Sequence, residues 1–372
     1  SSRFTLNGDL LIMASSLFFA LGSVISKKLS QNENPFLLTG SQLFFGGLVL
    51  RAIGYLGGEP HKGLGYMFTM MNYARLNVGL EGVAIAERAY QRARAYAIDR
   101  VQGRTLTEGS RGIIGHPDVR RMLMDMKART ESMRALAYFA AAQMDRAHSH
   151  PDEATRAKSQ ALVDLLIPIV KGCCTEQAQG ITADGVQIHG GMGFIEETGA
   201  AQYVRDARIT TIYEGTTGIQ ANDLIGRKLV RDDGVTMKAL LHTVSAEAQR
   251  QVGSGDPVLQ ALGQSLQRGL EALSQATEWI LTRANQSPAA TAAGAVPYLK
   301  LCGTVLGAWL MNRAAEAAQR QLSDNGQDDA FLSAKVITAR HYQYHVLVEA
   351  NGWRDRVING AISTLALQDE QF

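Results

Sequence analysis

Proline, aromatic residues and cysteine are scarce in this sequence, and its basic residues form no cluster. Eight prolines and an aromatic content of 7%, together with abundant alanine, favour helices over sheets. The three cysteines, Cys173, Cys174 and Cys302, have neither the spacing of a metal site nor that of a disulfide framework. We therefore expect them to pack as small apolar residues in a protein of the reducing cytoplasm.

The charge balance excludes polyanionic partners. The net charge is only +2, and no nucleic-acid-binding motif is present, so we expect no nucleic-acid partner. A hydrophobic content of 46% with 19% charged residues is typical of a folded protein. With 372 residues, the chain is long enough for two or three domains.

Residues 1–58 differ in character from the rest of the chain. Residues 10–26 and 34–50 carry no charged side chain, and a polar turn with Lys27, Lys28 and Glu33 separates them. Because a membrane-spanning helix needs roughly 20 mostly apolar residues, the pattern predicts an apolar helical hairpin that crosses the membrane, with membrane contact through residues 10–56. A pair of buried helices in a soluble bundle is the alternative. The segment resembles the start of a drug/metabolite transporter superfamily protein.

From residue 59 onward the pattern predicts an all-α protein. Apolar residues recur at helical steps between Leu76 and Ala97, which marks one long helix. Turn signals divide the rest of the chain into further helices. Helices joined by short connections suggest an antiparallel four-helix bundle over residues 59–234, followed by an additional helical domain over residues 235–372. We expect the bundle helices at 63–104, 118–148, 152–185 and 217–230, with Pro168 interrupting the third.

One stretch, residues 187–220, combines a glycine-rich turn with a lone carboxylate. Gly190 and Gly191 open it, and glycines let a backbone approach a ligand closely. Glu214 follows, beside apolar and aromatic neighbours. Such a carboxylate is a candidate general base, because desolvation raises the pKa of a carboxyl group towards neutral pH.

This stretch, with residues 65–104, closely resembles the acyl-CoA dehydrogenase family, in the branch that carries an extra C-terminal helical domain. The matching pieces follow the family's order over residues 59–372: MMNYARLNVG, YAIDRVQGR, QIHGGMGF, RDARITTIYEGTTGIQ and ALQDEQF. The resemblance implies an FAD-dependent oxidoreductase that oxidises the Cα–Cβ bond of an acyl-CoA thioester.

The resemblance also implies roles for individual residues. Glu214, in the YEGT motif, takes the α-proton while the β-hydride goes to FAD. A surface or helix-capping glutamate is the alternative interpretation of Glu214. The residues assigned to FAD are Arg100, Gln102, Gln187, Gly190, Gly191 and Thr216, and those assigned to the substrate are Arg75, Asn72, Tyr213 and Gly215.

The sequence departs from the family pattern at three places. Gly218 stands where many relatives have glutamine, and Val101-Gln102-Gly103 follows Arg100 where many have Phe-Gly. The family's N-terminal helical domain and β-domain have no counterpart before residue 59, so we expect an incomplete flavin site. A transporter-like start joined to the C-terminal part of a dehydrogenase would explain the sequence.

The expected partners follow from the resemblance. They are an acyl-CoA substrate, an acceptor like electron-transfer flavoprotein, and further copies of the chain in a homo-oligomer, where a neighbour's Arg100 completes the FAD site. His341 and His345 are four residues apart, but no carboxylate at helical spacing completes a ligand set, so we expect no metal. Two other functions stay open: a membrane-anchored, transporter-like protein and a non-catalytic helical interaction module.

Overall fold

In the computed structural model, which describes residues 63–107, 109–325 and 329–372, every regular element is a helix. The prediction of an all-α protein is confirmed for this part of the chain. The predicted transmembrane hairpin lies outside the described residues. Among the helices that are described, none combines the length and the apolar character needed to cross a membrane.

Three long helices form the bundle: α1 (Gly63–Asp99), α2 (Pro117–Ser149) and α3 (Glu153–His189). Helices α2 and α3 pack along each other and run antiparallel, because only residues 150–152 connect them. Asp152 caps α3 by accepting a hydrogen bond from the backbone N–H of Thr155 at 2.9 Å. Pro168 lies buried inside α3 and does not end it.

Helices α1 and α3 approach closely through two glycines. A Cβ atom on Gly79 would lie 2.6 Å from Val170, and one on Gly82 would lie 2.9 Å from the carbonyl oxygen of Cys174. The order of these contacts along both helices makes α1 and α3 parallel. The apolar face predicted for α1 is buried, as Leu76 and Ala97 show.

The segment after α3 is more broken than the sequence predicts. It contains α4 (Gly191–Phe194), α5 (Ala200–Thr210) and α6 (Thr217–Asp223), and the chain then continues as a π-helix over Leu224–Val230. The prediction of one helix over 217–230 is therefore correct in extent, but its second half is π-helical. Helix α5 was not predicted.

Seven further α-helices follow among the residues that the structure describes. Asp256 caps the second of them by accepting a hydrogen bond from the Val258 N–H at 2.7 Å, with Pro257 at the first helical position. They are α7 (Val235–Val252), α8 (Pro257–Arg283), α9 (Pro288–Ala293), α10 (Ala295–Asn325), α11 (Ala330–His341), α12 (Ala350–Asn359) and α13 (Ala361–Thr364). A π-helical turn, Tyr342–Val346, extends α11.

Helix α10 joins the C-terminal helices to the bundle. It packs against α2 and α3 on one side and against α8, α11 and α12 on the other. Gly172 of α3 makes this contact close, because a Cβ atom there would lie 2.8 Å from the methyl groups of Leu299. Residues 72–372 therefore form one compact unit with a continuous apolar core.

Candidate active site

The turn between α5 and α6 holds Glu214 in a strained backbone conformation. Its φ angle is +54°, in a left-handed region that residues with a side chain rarely adopt. Gly215 follows with a φ of +96°. Thr216 then caps α6 by accepting a hydrogen bond from the Ile219 N–H at 3.3 Å. The residue with the strained backbone is thus Glu214, whose carboxylate the sequence predicts to be a general base.

The Glu214 side chain is half-buried, and its Oε2 atom is buried without a hydrogen-bond partner among the described residues. An unpaired buried polar atom costs about 1–3 kcal/mol, so proteins rarely keep one without a use. A residue that receives a proton from a ligand needs such an unpaired oxygen. This observation favours a ligand-binding site over a surface or capping glutamate.

Gln220 explains why glycine follows Glu214. Its side chain is fully buried, and its Nε2 donates a hydrogen bond to the Glu214 carbonyl oxygen at 3.3 Å. A Cβ atom on residue 215 would lie 2.5 Å from that nitrogen. Only glycine combines the positive φ with this close approach.

Lys171 is a site residue that sequence reasoning missed. It is completely buried in the middle of α3, and its Nζ donates a hydrogen bond to the Gly215 carbonyl oxygen at 2.6 Å. Burial and the nearby Arg75 lower the pKa of Lys171 to about 8, against the opposing effect of Glu214 and Glu176. A single lysine within an apolar run of α3 is the sequence signal that could have identified it.

Arg75 lies at this site but is held by the protein itself. Its guanidinium forms a buried ion pair with Asp223, with 3.7 Å between Nη1 and Oδ2, and its Nε has no partner among the described residues. Asn72 is half-buried one turn earlier on α1. Thus α1, α3 and the α5–α6 turn bring Arg75, Lys171 and Glu214 together.

Tyr213 is also held by the protein. Its hydroxyl donates a hydrogen bond to Glu81 of α1. Partial burial, and then this bond, raise the pKa of Tyr213 to about 12. The hydroxyl is therefore neutral at physiological pH and ties the turn to α1.

A second group of predicted residues lies at the far ends of α1 and α3. The two helices end side by side, where Tyr96 stacks on His189 with ring centroids 4.4 Å apart. The side chains of this group are exposed, and a Cβ atom on either of its glycines would meet nothing within 4 Å. The group consists of Arg100, Gln102, Gln187, Gly190 and Gly191.

The structure separates this group from Glu214. Lys171 and Gln187 are 16 residues apart on one continuous helix, which places them about 24 Å apart along its axis at 1.5 Å per residue. The exposed Thr216 belongs with Glu214, beside the middle of α3. The residues assigned to FAD therefore lie in two groups on this chain.

The comparisons with known proteins agree with the motifs. Residues 61–229 match the family described as acyl-CoA dehydrogenase, C-terminal domain, and residues 238–368 match the one described as acetyl-CoA dehydrogenase C-terminal like. Over these residues the chain belongs to the acyl-CoA dehydrogenase family. Residues 6–83 match the EamA-like transporter family, which agrees with the transporter resemblance of the first 58 residues.

Two curated relatives cover most of this chain. The 3-methylmercaptopropionyl-CoA dehydrogenase of Ruegeria pomeroyi is 46% identical over 84% of this chain and 53% of its own length. The broad-specificity linear acyl-CoA dehydrogenase of Mycobacterium tuberculosis is 36% identical over 82% of this chain and 52% of its own length. The chain thus spans about half the length of the curated dehydrogenases it matches.

Solved structures show the same fold. An acyl-CoA dehydrogenase of Bacillus anthracis, complexed with FAD, has a TM-score of 0.62 at 21% identity. The match covers 84% of this chain and 52% of the Bacillus anthracis chain. ACDH-11 of Caenorhabditis elegans, in complex with C11-CoA, has a TM-score of 0.64 at 17% identity. The match covers 84% of this chain and 50% of the ACDH-11 chain. At these identities the match establishes the helical architecture.

Proposed function

We propose that this chain acts as an acyl-CoA dehydrogenase that oxidises the Cα–Cβ bond of an acyl-CoA thioester with FAD, and that Glu214 is its catalytic base. The buried and unpaired Oε2 of Glu214, carried on a strained backbone, is the observation that supports this most directly. The family matches over residues 61–229 and 238–368 support a division into helical domains at 59–234 and 235–372.

The residues around Glu214 fit proton abstraction. The α-proton of a thioester is weakly acidic, so the base must be desolvated and held in place. Lys171 anchors the turn through the Gly215 carbonyl, and Gln220 anchors it through the Glu214 carbonyl. The ammonium of Lys171 also places positive charge beside the carboxylate and the enolate that develops.

FAD supplies the hydride acceptor when it is bound. Thr216 lies two residues from the base, where a flavin that meets the substrate at Glu214 is within reach. Gln187 lies about 24 Å from Lys171 along the α3 axis. Arg100 suits the pyrophosphate of FAD, because a guanidinium binds a pyrophosphate through two charge-assisted hydrogen bonds. Arg75 and Asn72 are assigned to the acyl-CoA, with Tyr213 and Gly215 beside the base.

The separation of the two groups supports a homo-oligomer. In this arrangement Arg100 and the glycine-rich turn of one copy contact the FAD that lies beside Glu214 of another copy. The surface near the turn suits such an interface, since Phe194 is 82% exposed and Ile195 is also exposed. An acceptor like electron-transfer flavoprotein and a cytoplasmic location complete the proposal, and the buried free cysteines support that location.

The 46% identity to the Ruegeria pomeroyi enzyme makes 3-methylmercaptopropionyl-CoA the first substrate to test. The purified chain is titrated with FAD and then with this thioester under anaerobic conditions while the visible spectrum is recorded. We expect bound flavin to bleach with the wild type and to stay oxidised in Glu214→Gln, which keeps the shape of the side chain but removes the base. The exposed Glu278 provides a matched control, and Glu278→Gln should behave as the wild type.

Exchange of the α-protons of a thioester in deuterated water isolates the role of Glu214 from hydride transfer. NMR of a bound 3-thia-acyl-CoA, which has no β-hydrogen to lose, follows this exchange. Exchange at the same rate in the wild type and in Glu214→Gln would rule out Glu214 as the base. Absence of flavin binding at saturating FAD would overturn the cofactor assignment.

Mixing two inactive variants tests the assembly. In a two-fold dimer of Arg100→Ala with Glu214→Gln, one site carries both changes and the other carries neither. Random mixing should therefore restore about a quarter of the sites. If Arg100 acted within its own subunit, every site would keep one defect and mixing would restore nothing.

A further inference from the structure

Two histidines near the end of α11 meet a carboxylate that is distant in sequence. His341 Nε2 donates a hydrogen bond to Asp125 Oδ1 of α2 at 2.7 Å, and the ring of His345 stacks on that of His341 with centroids 4.1 Å apart. One potential ligand atom from each of the three side chains lies within 4.8 Å of the other two. The carboxylate that sequence reasoning did not find next to these histidines is supplied by α2.

The backbone that carries both histidines is firmly held. His341 is the last residue of α11 and His345 lies within the π-helical turn Tyr342–Val346 that follows, a widened turn that is often found at functional sites. Tyr342 and Gln343, between them, are almost completely buried, and Gln343 Nε2 donates a hydrogen bond to the Ala308 carbonyl at 3.2 Å. The backbone positions of the two histidines are thus fixed before any ligand binds.

Asp125 is oriented from its other side. Arg121 Nη1 donates a hydrogen bond to Asp125 Oδ2 at 3.0 Å, which leaves Oδ1 directed at the histidines. This is the arrangement in which an outer residue fixes a metal ligand. Asp125 and His341 are largely buried, at 16% and 11% side-chain exposure, whereas His345 is exposed and leaves a path for an ion from solvent.

The charges around the three side chains favour the binding of a cation. Arg121 is paired with Asp118 at 2.8 Å, and Arg129 is paired with Glu349 at 2.6 Å, so both nearby guanidinium groups are neutralised. Asp184 lines a cavity of about 390 Å³ together with Asp125 and forms no ion pair with any described residue, which adds negative charge. The local field therefore favours a divalent cation over an anion.

We propose that Asp125, His341 and His345 form a binding site for a divalent transition-metal ion, with Zn²⁺ as the best fit, that links α2 to the C-terminal helices. Two imidazoles and one carboxylate with an open position form a common ligand set of such ions. Zn²⁺ binds nitrogen and oxygen at about 2.0–2.2 Å, so the three ligand atoms must move closer together. Rotation of the imidazoles about χ2 allows this, because that torsion is broad. The ion would replace the proton that His341 shares with Asp125.

Isothermal titration of the metal-free full chain, prepared without a polyhistidine tag, with Zn²⁺ tests the proposal. Titration with Co²⁺ adds a visible spectrum that reports nitrogen ligands and their geometry. We expect one ion per chain and at least about tenfold weaker binding in His345→Gln. His242 is exposed on α7, and His242→Gln should bind as the wild type.

A thermal melt separates loss of binding from loss of folding. Because His345 is exposed, His345→Gln should melt as the wild type without metal but should lose the stabilisation that Zn²⁺ gives the native chain. Mg²⁺, which prefers oxygen ligands, should give no stabilisation. Equal Zn²⁺ affinity in His345→Gln and His242→Gln, or no binding by the wild type, would refute the site.

Discussion

Glycine at position 215 is required by two independent constraints, its positive φ of +96° and the nearby Gln220 amide. Gly215→Ala should therefore lower the free energy of unfolding by about 1–3 kcal/mol, measured by urea denaturation. Gly226, where a Cβ atom would meet nothing within 4 Å, provides the control, and Gly226→Ala should leave the stability unchanged or raise it. Equal effects of the two changes would show that the turn is not constrained.

Lys171 should leave a signature in the pH dependence of stability. Its pKa is about 8 in the folded protein, below the usual 10.5. Below pH 8 the lysine is charged in both states, so the full cost of burying the charge is present. As the pH rises from about 8 to about 10.5 the folded state loses its proton first, and this cost disappears.

Relative to Lys171→Met, the wild type should therefore gain up to about 3 kcal/mol of unfolding free energy over that range. Denaturant titrations at a series of pH values measure the difference. Lys158, exposed on the same helix, is the control, because Lys158→Met should change stability equally at every pH. A wild-type curve parallel to that of Lys171→Met would show that Lys171 is not buried as a charge.

At the scale of helices, the close packing of α3 against α10 depends on Gly172. Gly172→Ala should destabilise the protein by about 1–3 kcal/mol, because the new methyl group overlaps Leu299 in a closely packed core. Gly180 lies on the same helix with open space around its Cα, and Gly180→Ala should stabilise by about 0.5–1 kcal/mol. Chemical denaturation of the two variants measures both changes in unfolding free energy. Destabilisation by both changes would point to a general intolerance of α3 instead.

The sequence predicts these helices well where local rules decide. Asp152 caps α3 at the predicted start of the third bundle helix, since a cap depends on a few neighbouring residues. The π-helical turns after α6 and α11 were not predicted, because tertiary packing rather than local propensity determines them. The same holds for Lys171, whose burial depends on three separate elements, and for Asp125 and His341, which are 216 residues apart.

For the candidate site, the motif located Glu214, and only the structure showed that its Oε2 is unpaired. The sequence placed Gln187 and Glu214 in one stretch of chain. In the fold, the turn with Glu214 lies beside Lys171, whereas Gln187 lies 16 residues further along α3, about 24 Å away along the helix axis. Sequence order therefore predicts candidate residues for the site but not their grouping in space.

At the scale of the whole molecule, α10 connects the bundle to the C-terminal helices. It packs against both parts, so residues 72–372 have one continuous core. We expect them to unfold together, without a stage in which the bundle alone persists. Coincident denaturation curves from circular dichroism and from tryptophan fluorescence would agree with this, and two separate transitions would contradict it.

Alkylation of the buried cysteines measures how fast the contact between α3 and α10 opens. Cys173, Cys174 and Cys302 lie at or near the contact between α3 and α10, and burial raises the pKa of Cys173 to about 12. Only the thiolate reacts with alkylating reagents, so the three thiols become reactive only when this contact opens. The rate at which the three native cysteines are alkylated, measured by mass spectrometry, therefore reports how often this contact opens.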